Sequence, residues 1–337
     1  MAKLMQKNID SLLKGTSRSF YLTLQALPSK VRSQIGLGYL LARISDTIAD
    51  SIKGSTSQRL EALEQYNDRI QKRSNTLPNL SNLAQLQHNP AEAELLEKAA
   101  TPVAYLEELS NTDQQYIRRV LDIIISGQTL DLQRFAYANT NKIISLNKED
   151  DLDDYTYRVA GCVGEFWTHV SLNHLFEVDA AKEAQLFENA VLFGKGLQLI
   201  NILRDLPEDL RAGRCYIPAT VLSEHNLKPN DLLQQENMDR FQPIYTSYLK
   251  KTVNYFNAAA TYINMLPFSQ FRMRGACTLP VILGLKTVTL LQQKNILKNE
   301  SRIKVSRPEV KLMMRQTAVA LTSRKRTQKL ISIYRDA

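Results

Sequence analysis

The sequence predicts an all-α protein, on three observations. Glycine (12) and proline (11) are scarce in 337 residues, so few turns punctuate the chain. Leu, Ala, Gln, Lys and Arg abound, and these residues favour helix. Apolar residues recur every three or four positions through most of the length, as on one face of a helix. Hydrophobic residues make up 44% and charged residues 23%, the composition of a globular chain that can bury a core.

The helical period starts at Leu12, Leu13 and Phe20. It predicts helices over 31–51 (with Ile35, Tyr39, Ala42 and Ile44 on related turns), 58–72, 91–109, 113–135, 153–176 and 182–204. Residues 73–90, polar with two prolines, read as a loop, and Pro229 places a turn within 224–237. Further helices are predicted over 239–266, 278–294 and 308–335, the last with proline at its start. No repeat or composition shift divides the chain, so one domain is expected over 1–337. Chemistry-bearing blocks fall in 16–218 and C-terminal helices in 239–335.

The formal net charge of +9 points to anionic partners: phosphorylated substrates, nucleic acid or an anionic membrane. Cys162, Cys215 and Cys277 are odd in number, lack CxxC spacing and support neither a disulfide framework nor a zinc site, which fits a reducing cytoplasm. The first residues show no secretory h-region. No apolar run approaches the roughly 18 to 20 residues of a membrane span; the best, 278–285, is too short. A soluble or peripherally membrane-bound protein is expected. Its oligomeric state is unspecified, a monomer being the simpler reading.

Two constellations carry chemistry. In Asp46-Thr-Ile-Ala-Asp50 the acids stand four apart, on one helical face, and repel unless a cation lies between them. Magnesium takes oxygen ligands, often one or two carboxylates completed by water and phosphate. Tyr39 and Arg43 lie on the preceding turns, and arginine matches phosphate oxygens as a fork. The bland alternative for a lone DxxxD is a solvated helix face. The second constellation, Asn201-Ile-Leu-Arg204-Asp205-Leu-Pro-Glu208-Asp209, aligns Asn201, Asp205 and Asp209 among Leu197, Leu199, Ile200, Ile202 and Leu203. Gln198, Arg211 and Arg214 flank it. Carboxylates in an apolar helix call for a cation. Pro207 is expected to kink or end this helix. The two acid pairs suggest two faces of one cavity.

Other features have plainer readings. Gly161 and Gly164 clear a strip of helix for a ligand chain or, at least as commonly, for close helix packing. Phe166 and Trp167 read as core. The run 149–154 is acidic, as a helix start prefers, with metal binding as its other reading. His169 and His174 are poorly spaced for joint ligation. Arg302, Lys304 and Arg307 read as a solvated basic turn.

Four ordered blocks, Ser17-Arg-Ser-Phe20, YLLARISDTIAD, Tyr155-Thr-Tyr-Arg-Val-Ala-Gly-Cys-Val-Gly164 and GLQLINILRDLPEDLRAGRCYIP, resemble the squalene/phytoene synthase family from about Ser17 to Pro218, and more weakly beyond. The resemblance implies a single-domain helical isoprenoid synthase bundle with a central cavity. It implies two or three Mg2+ ions held by Asp46, Asp50, Asp205 and Asp209. It assigns diphosphate or cofactor contacts to Ser17, Arg18, Ser19, Phe20, Tyr39, Arg43, Arg204 and Arg214, and a part in the first half-reaction to Tyr155. Val159, Gly161, Gly164, Gln198 and Asn201 become cavity residues, and Lys304 falls where NADPH is bound in squalene-forming members. The implied reaction joins two farnesyl diphosphates head to head through a cyclopropyl diphosphate, and NADPH then reduces the product to squalene. The wording GCVGEFW and RCYIP is similar to bacterial squalene-forming members.

Alternatives are dehydrosqualene or phytoene formation without hydride, the latter from geranylgeranyl diphosphate, and a terpene cyclase or head-to-tail prenyltransferase. A basic helical nucleic-acid-binding protein is the non-enzymatic alternative, against which the acids within apolar helices speak. No GxGxxG loop marks a Rossmann cofactor site.

Overall fold

The computed structural model describes residues 2–17, 20–51, 54–298 and 303–337, with backbone only at 2–8, Phe20 and Leu22. Arg18, Ser19 and Arg302 therefore lie outside the described residues, as does the Phe20 side chain. The chain is helical nearly throughout, as predicted. It divides into two compact units, 1–133 with 166–177, and 134–165 with 178–337.

The first unit holds α1 (Ala2–Thr16), α2 (Phe20–Ala26), α3 (Ser29–Ala49), α4 (Thr56–Ile70), α5 (Ser81–Gln85), α6 (Pro90–Glu97), α7 (Ala100–Glu107) and most of α8 (Asn111–Arg134). Helix α3 is its buried centre, with Val31, Leu37, Leu40, Leu41, Ile44 and Ile48 fully enclosed. Helix α4 starts on a capping box in which Ser55 and Gln58 serve each other's backbone, two orphan donors satisfied together. The single helix predicted over 91–109 is two. Pro102 has no N–H for the Lys98 carbonyl four residues back and its ring clashes there, so α6 stops at Lys98 and Thr101 N–H donates to the Lys98 carbonyl instead, at 2.9 Å.

The second unit contains α9 (Glu149–Thr156), a π-helical turn (Tyr157–Gly161), the first turn of α10 (Cys162–His174), α11 (Ala180–Arg211), α12 (Ala219–Glu224), α13 (Met238–Met265), α14 (Phe271–Gln292), α15 (Arg307–Ala320) and α16 (Arg324–Arg335). Its small sheet pairs β1 (Ile144–Ser145) with β2 (Arg214–Cys215) in parallel. The helix predicted over 308–335 also divides. Thr322 donates its hydroxyl to the Val319 carbonyl and Ser323 turns extended, the local bonding by which such residues compete with helix. Helix α14 corrects the expectation about membrane spans. It is long and apolar enough to cross a bilayer, yet 56% of its apolar window is buried inside the protein, as in a core helix.

Helix α11 runs unbroken through Pro207 to Arg211, against the expected kink or end. Proline leaves the Leu203 carbonyl, four residues back, without its helical donor. The buried Tyr245 hydroxyl of α13 donates to that carbonyl at 3.1 Å. The helix ends where Gly213 takes φ +81°, a left-handed stop that glycine adopts without penalty.

Candidate functional site: two helix-borne acid pairs and a tyrosine stack

The first pair ends α3. Asp50 caps the helix, its N–H bonded to the Asp46 carbonyl at 2.8 Å. The Asp46 carboxylate accepts from Gln128 of α8 and lies 4.0 Å from Arg43. Arg43 itself forks away to Glu92 of α6. Asp46 keeps 45% of its side-chain surface open, so solvent reaches it from one side while protein crowds the others. Burial first, and then the Asp50 charge, push its carboxyl up to about 6; Arg43 and Gln128 oppose that without prevailing. Burial and the Asp50 charge together thus disfavour the ionised Asp46 more than Arg43 and Gln128 favour it. Ser17, buried, donates its hydroxyl to the Leu13 carbonyl, and Tyr39 reaches the Thr16 carbonyl at 3.4 Å. Tyr66 of α4, fully buried, donates to the Leu41 carbonyl of α3 at 3.0 Å.

The second pair, on α11, is engaged by arginines. Arg204 grips both oxygens of its neighbour Asp205 at 2.8 Å, and Arg214 of β2 donates to Asp209 at 3.2 Å. Gln198 and Asn201 are half-buried on the preceding turns. Because the helix persists, Asp205 and Asp209 keep the four-residue alignment that Pro207 put in doubt.

Tyr155 on α9 stacks on Tyr216, with ring centres 4.8 Å apart at 22° and hydroxyls at 3.5 Å. Phe135 meets Tyr216 edge-on at 5.3 Å. Ion pairs tether α9. Lys195, nearly buried, holds both oxygens of Asp153 at 2.8 Å. Glu149 takes Lys251 at 2.6 Å and Tyr248 at 2.7 Å. The acids of 149–154 thus act as helix-start and tethering groups. The π turn that follows carries Val159; such turns are rare and often mark functional sites.

The glycine strip is filled by protein. A Cβ at Gly164 would lie 2.0 Å from the Ala190 carbonyl oxygen of α11, and one at Gly194 would lie 2.1 Å from that of Ala160. These two glycines let the backbones touch, so Gly164 serves helix packing and offers no room for a ligand chain; Gly161, also buried, faces Val191 and Lys195 of the same helix. His174 pairs with Asp113 at 2.7 Å and His169 stacks on Tyr116, both within the packing of the first unit. Lys304 is exposed. The three cysteines are free and buried, and burial pushes the Cys162 and Cys215 thiols up to about 12.

Sequence reasoning misses Gln128, Glu92, Tyr216, Lys195 and Tyr245. Each comes from an element distant in sequence, and only the proline at 207 signals that α11 needs an outside donor.

Among the described residues no three His, Cys, Asp or Glu groups gather as a ready metal cage. Magnesium does not demand one, since one or two carboxylates with phosphate and water suffice. Asp46 and Asp50 fit that demand, being crowded, like-charged and open on one side.

The fold and site define an all-α protein with two aligned aspartate pairs, each accompanied by arginine. The squalene/phytoene synthase sequence profile matches residues 13–309, and the chain belongs to that family. It is 23% identical over 298 residues to the squalene synthase of Homo sapiens, covering 86% of this chain and 66% of that one. It is 27% identical over 256 residues to the 15-cis-phytoene synthase of Synechocystis, covering 74% and 66%. A bifunctional lycopene cyclase/phytoene synthase of Gibberella fujikuroi is 25% identical over 260 residues, covering 76% of this chain but only 43% of that protein. The chain therefore spans less than half the length of such bifunctional relatives. Among solved structures, a ligand complex of TcSQS superposes with TM-score 0.79 at 18% identity, covering 98% of this chain and 90% of that one. A dehydrosqualene synthase complex gives 0.65 at 18%, covering 95% and 98%. These likenesses establish the fold.

Proposed function

We propose that the chain is a magnesium-dependent prenyltransferase that condenses two farnesyl diphosphates head to head and, with NADPH, yields squalene. The observation that carries this reading is the crowded Asp46–Asp50 pair, set within a family-wide match over residues 13–309. Bound Mg2+ would supply charge to draw off the diphosphate. Asp46, Asp50, Asp205 and Asp209 are the carboxylates that would hold it.

The chain's own residues account for the rest. Gln128 fixes the Asp46 carboxylate, and Asp50 at the helix end leaves the pair reachable. Arg43, Arg204 and Arg214 are forks of the kind that grip phosphate oxygens. Tyr155, its ring held against Tyr216, carries the hydroxyl that would assist proton loss as the cyclopropane closes. Removing that hydroxyl in Tyr155→Phe should cost roughly 10²-fold in rate while the stack preserves the fold. Unchanged turnover in steady-state assays would remove Tyr155 from the chemistry.

A second reading has specific support. Relatives include phytoene synthases, and a structural neighbour is a dehydrosqualene synthase, so a hydride-free product is the alternative. The test is incubation with farnesyl diphosphate and Mg2+, with and without NADPH, followed by product identification. Squalene only with NADPH supports the first reading. Dehydrosqualene or a cyclopropyl diphosphate under both conditions moves the function to the second. Turnover of geranylgeranyl diphosphate alone assigns phytoene formation.

A further inference from the structure

The α15–α16 hairpin presents a surface that the acid pairs do not use. Residues 307–337 hold eight Lys and Arg against Glu309 and Asp336, so this segment supplies +6 of the formal +9. Charge on the rest of the chain is nearly balanced. The basic character therefore has an address.

That address is also apolar. Leu312, Val319 and Ile333 are 52%, 61% and 55% exposed. Leu312, Arg315 and Val319 are spaced three and four apart, and so share one stripe of α15; Arg326, Lys329 and Ile333 share one stripe of α16. A shallow groove of about 360 Å³ runs between the helices. Its floor is Val319, Ala320, Leu330 and Ile333, and Arg315, Arg326 and Lys329 rim it without any carboxylate. The hairpin is packed and hydrogen-bonded beneath this face. Met313, Ala320, Leu330 and Ile331 are buried, Tyr334 donates to Gln316 across the two helices at 2.6 Å, and Ser306 with Glu309 caps α15.

Greasy side chains among cations fit a lipid interface better than nucleic acid. A phosphate backbone rewards the arginines but gives nothing for exposing valine, leucine and isoleucine to water. At a bilayer both are used: apolar residues enter the acyl boundary, and Lys and Arg lie among anionic headgroups. Long cationic side chains reach up to that level while their stems stay in the apolar layer. We propose that the α15–α16 hairpin docks the protein peripherally on an anionic lipid surface, through Leu312, Val319 and Ile333 below and Arg315, Arg326 and Lys329 at the phosphates. The surface stands whatever reaction the acid pairs perform.

The test is co-sedimentation of the full chain with vesicles of phosphatidylcholine alone or enriched in phosphatidylglycerol. The wild-type chain should pellet with the anionic vesicles only and be released by salt. Val319→Asp with Ile333→Asp, and separately Arg326→Glu with Lys329→Glu, should each weaken partitioning at least about tenfold without moving the melting temperature, since all four side chains are exposed. Should the aspartates lower it, Val319→Ser with Ile333→Ser replaces them. Failure to bind anionic vesicles overturns the proposal. So does wild-type binding by the apolar variant, or displacement of vesicles by duplex DNA at equal phosphate, because attraction to any polyanion would then explain the result.

Discussion

Helices α3 and α11 spell the same DxxxD yet hold it in opposite electrostatic states. On α3, Asp46 lies between burial and the charge of Asp50, with its nearest cation at 4.0 Å and turned to Glu92. On α11, Arg204 and Arg214 already grip Asp205 and Asp209. Spacing alone cannot distinguish these states, because the partners come from other elements or from the neighbouring residue. The α3 pair is poised for a cation. The α11 pair is already engaged by cations of the chain itself, two bonds from Arg204 to Asp205 and one from Arg214 to Asp209. One motif holds an acid that burial and a like charge both disfavour, and the other holds acids paired with arginine.

The comparison can be broken in several ways, of decreasing size. The largest effect is on turnover. Asp46→Asn and Asp205→Asn should each lower it by at least about 10³-fold if both pairs serve metal-assisted ionisation. A variant at either position with near wild-type rate in a pyrophosphate-release assay would strike that pair from the site.

Packing comes next. Gly164→Ala drives a methyl into the Ala190 carbonyl and should cost about 3 kcal/mol or more, whereas Gly161→Ala, with its nearest contact at 3.1 Å, should cost far less. Denaturant unfolding of the two variants checks the ranking. A ligand strip would instead predict small stability losses for both and altered product for both.

The smallest effect concerns the tyrosine props of the two acid-bearing helices. Tyr245→Phe leaves the Leu203 carbonyl with no donor, because Pro207 has none to give, and should cost about 1–3 kcal/mol. Tyr66→Phe leaves Leu41 with the helical donor at Ser45, and should cost about 0.5–1.5 kcal/mol. Equal losses on thermal unfolding would show that the proline contributes nothing to the demand for Tyr245.

Much of this is legible in the sequence. Helix class, most helix spans, the free cysteines and the alignment of both acid pairs follow from period, composition and spacing. The misses share a cause. Helix α11 passes through Pro207 because a hydroxyl 38 positions on repairs it, and no local rule sees that far. Pro102 does signal its break, four residues upstream at Lys98, but the apolar period runs on through it and masks the stop. Gly164 declares close approach without naming the approaching partner. The π turn at 157–161 has no sequence signature of its own. The net charge, taken over the whole chain, hides its concentration on one hairpin.

The contrast between the acid pairs is tested most directly by thermal unfolding of Asp46→Asn and Asp205→Asn in chelator at neutral pH. The folded chain holds the Asp46 carboxyl above its ordinary value of 3.8, at about 6. It therefore favours the neutral acid, and stability falls as pH rises between those values. Removing that charge should raise the melting temperature. Removing the Asp205 charge breaks a two-bonded arginine pair and should lower it. A rise for Asp46→Asn with a fall for Asp205→Asn is the predicted result; a fall for both would contradict the claim that the fold holds the Asp46 charge against burial and the charge of Asp50.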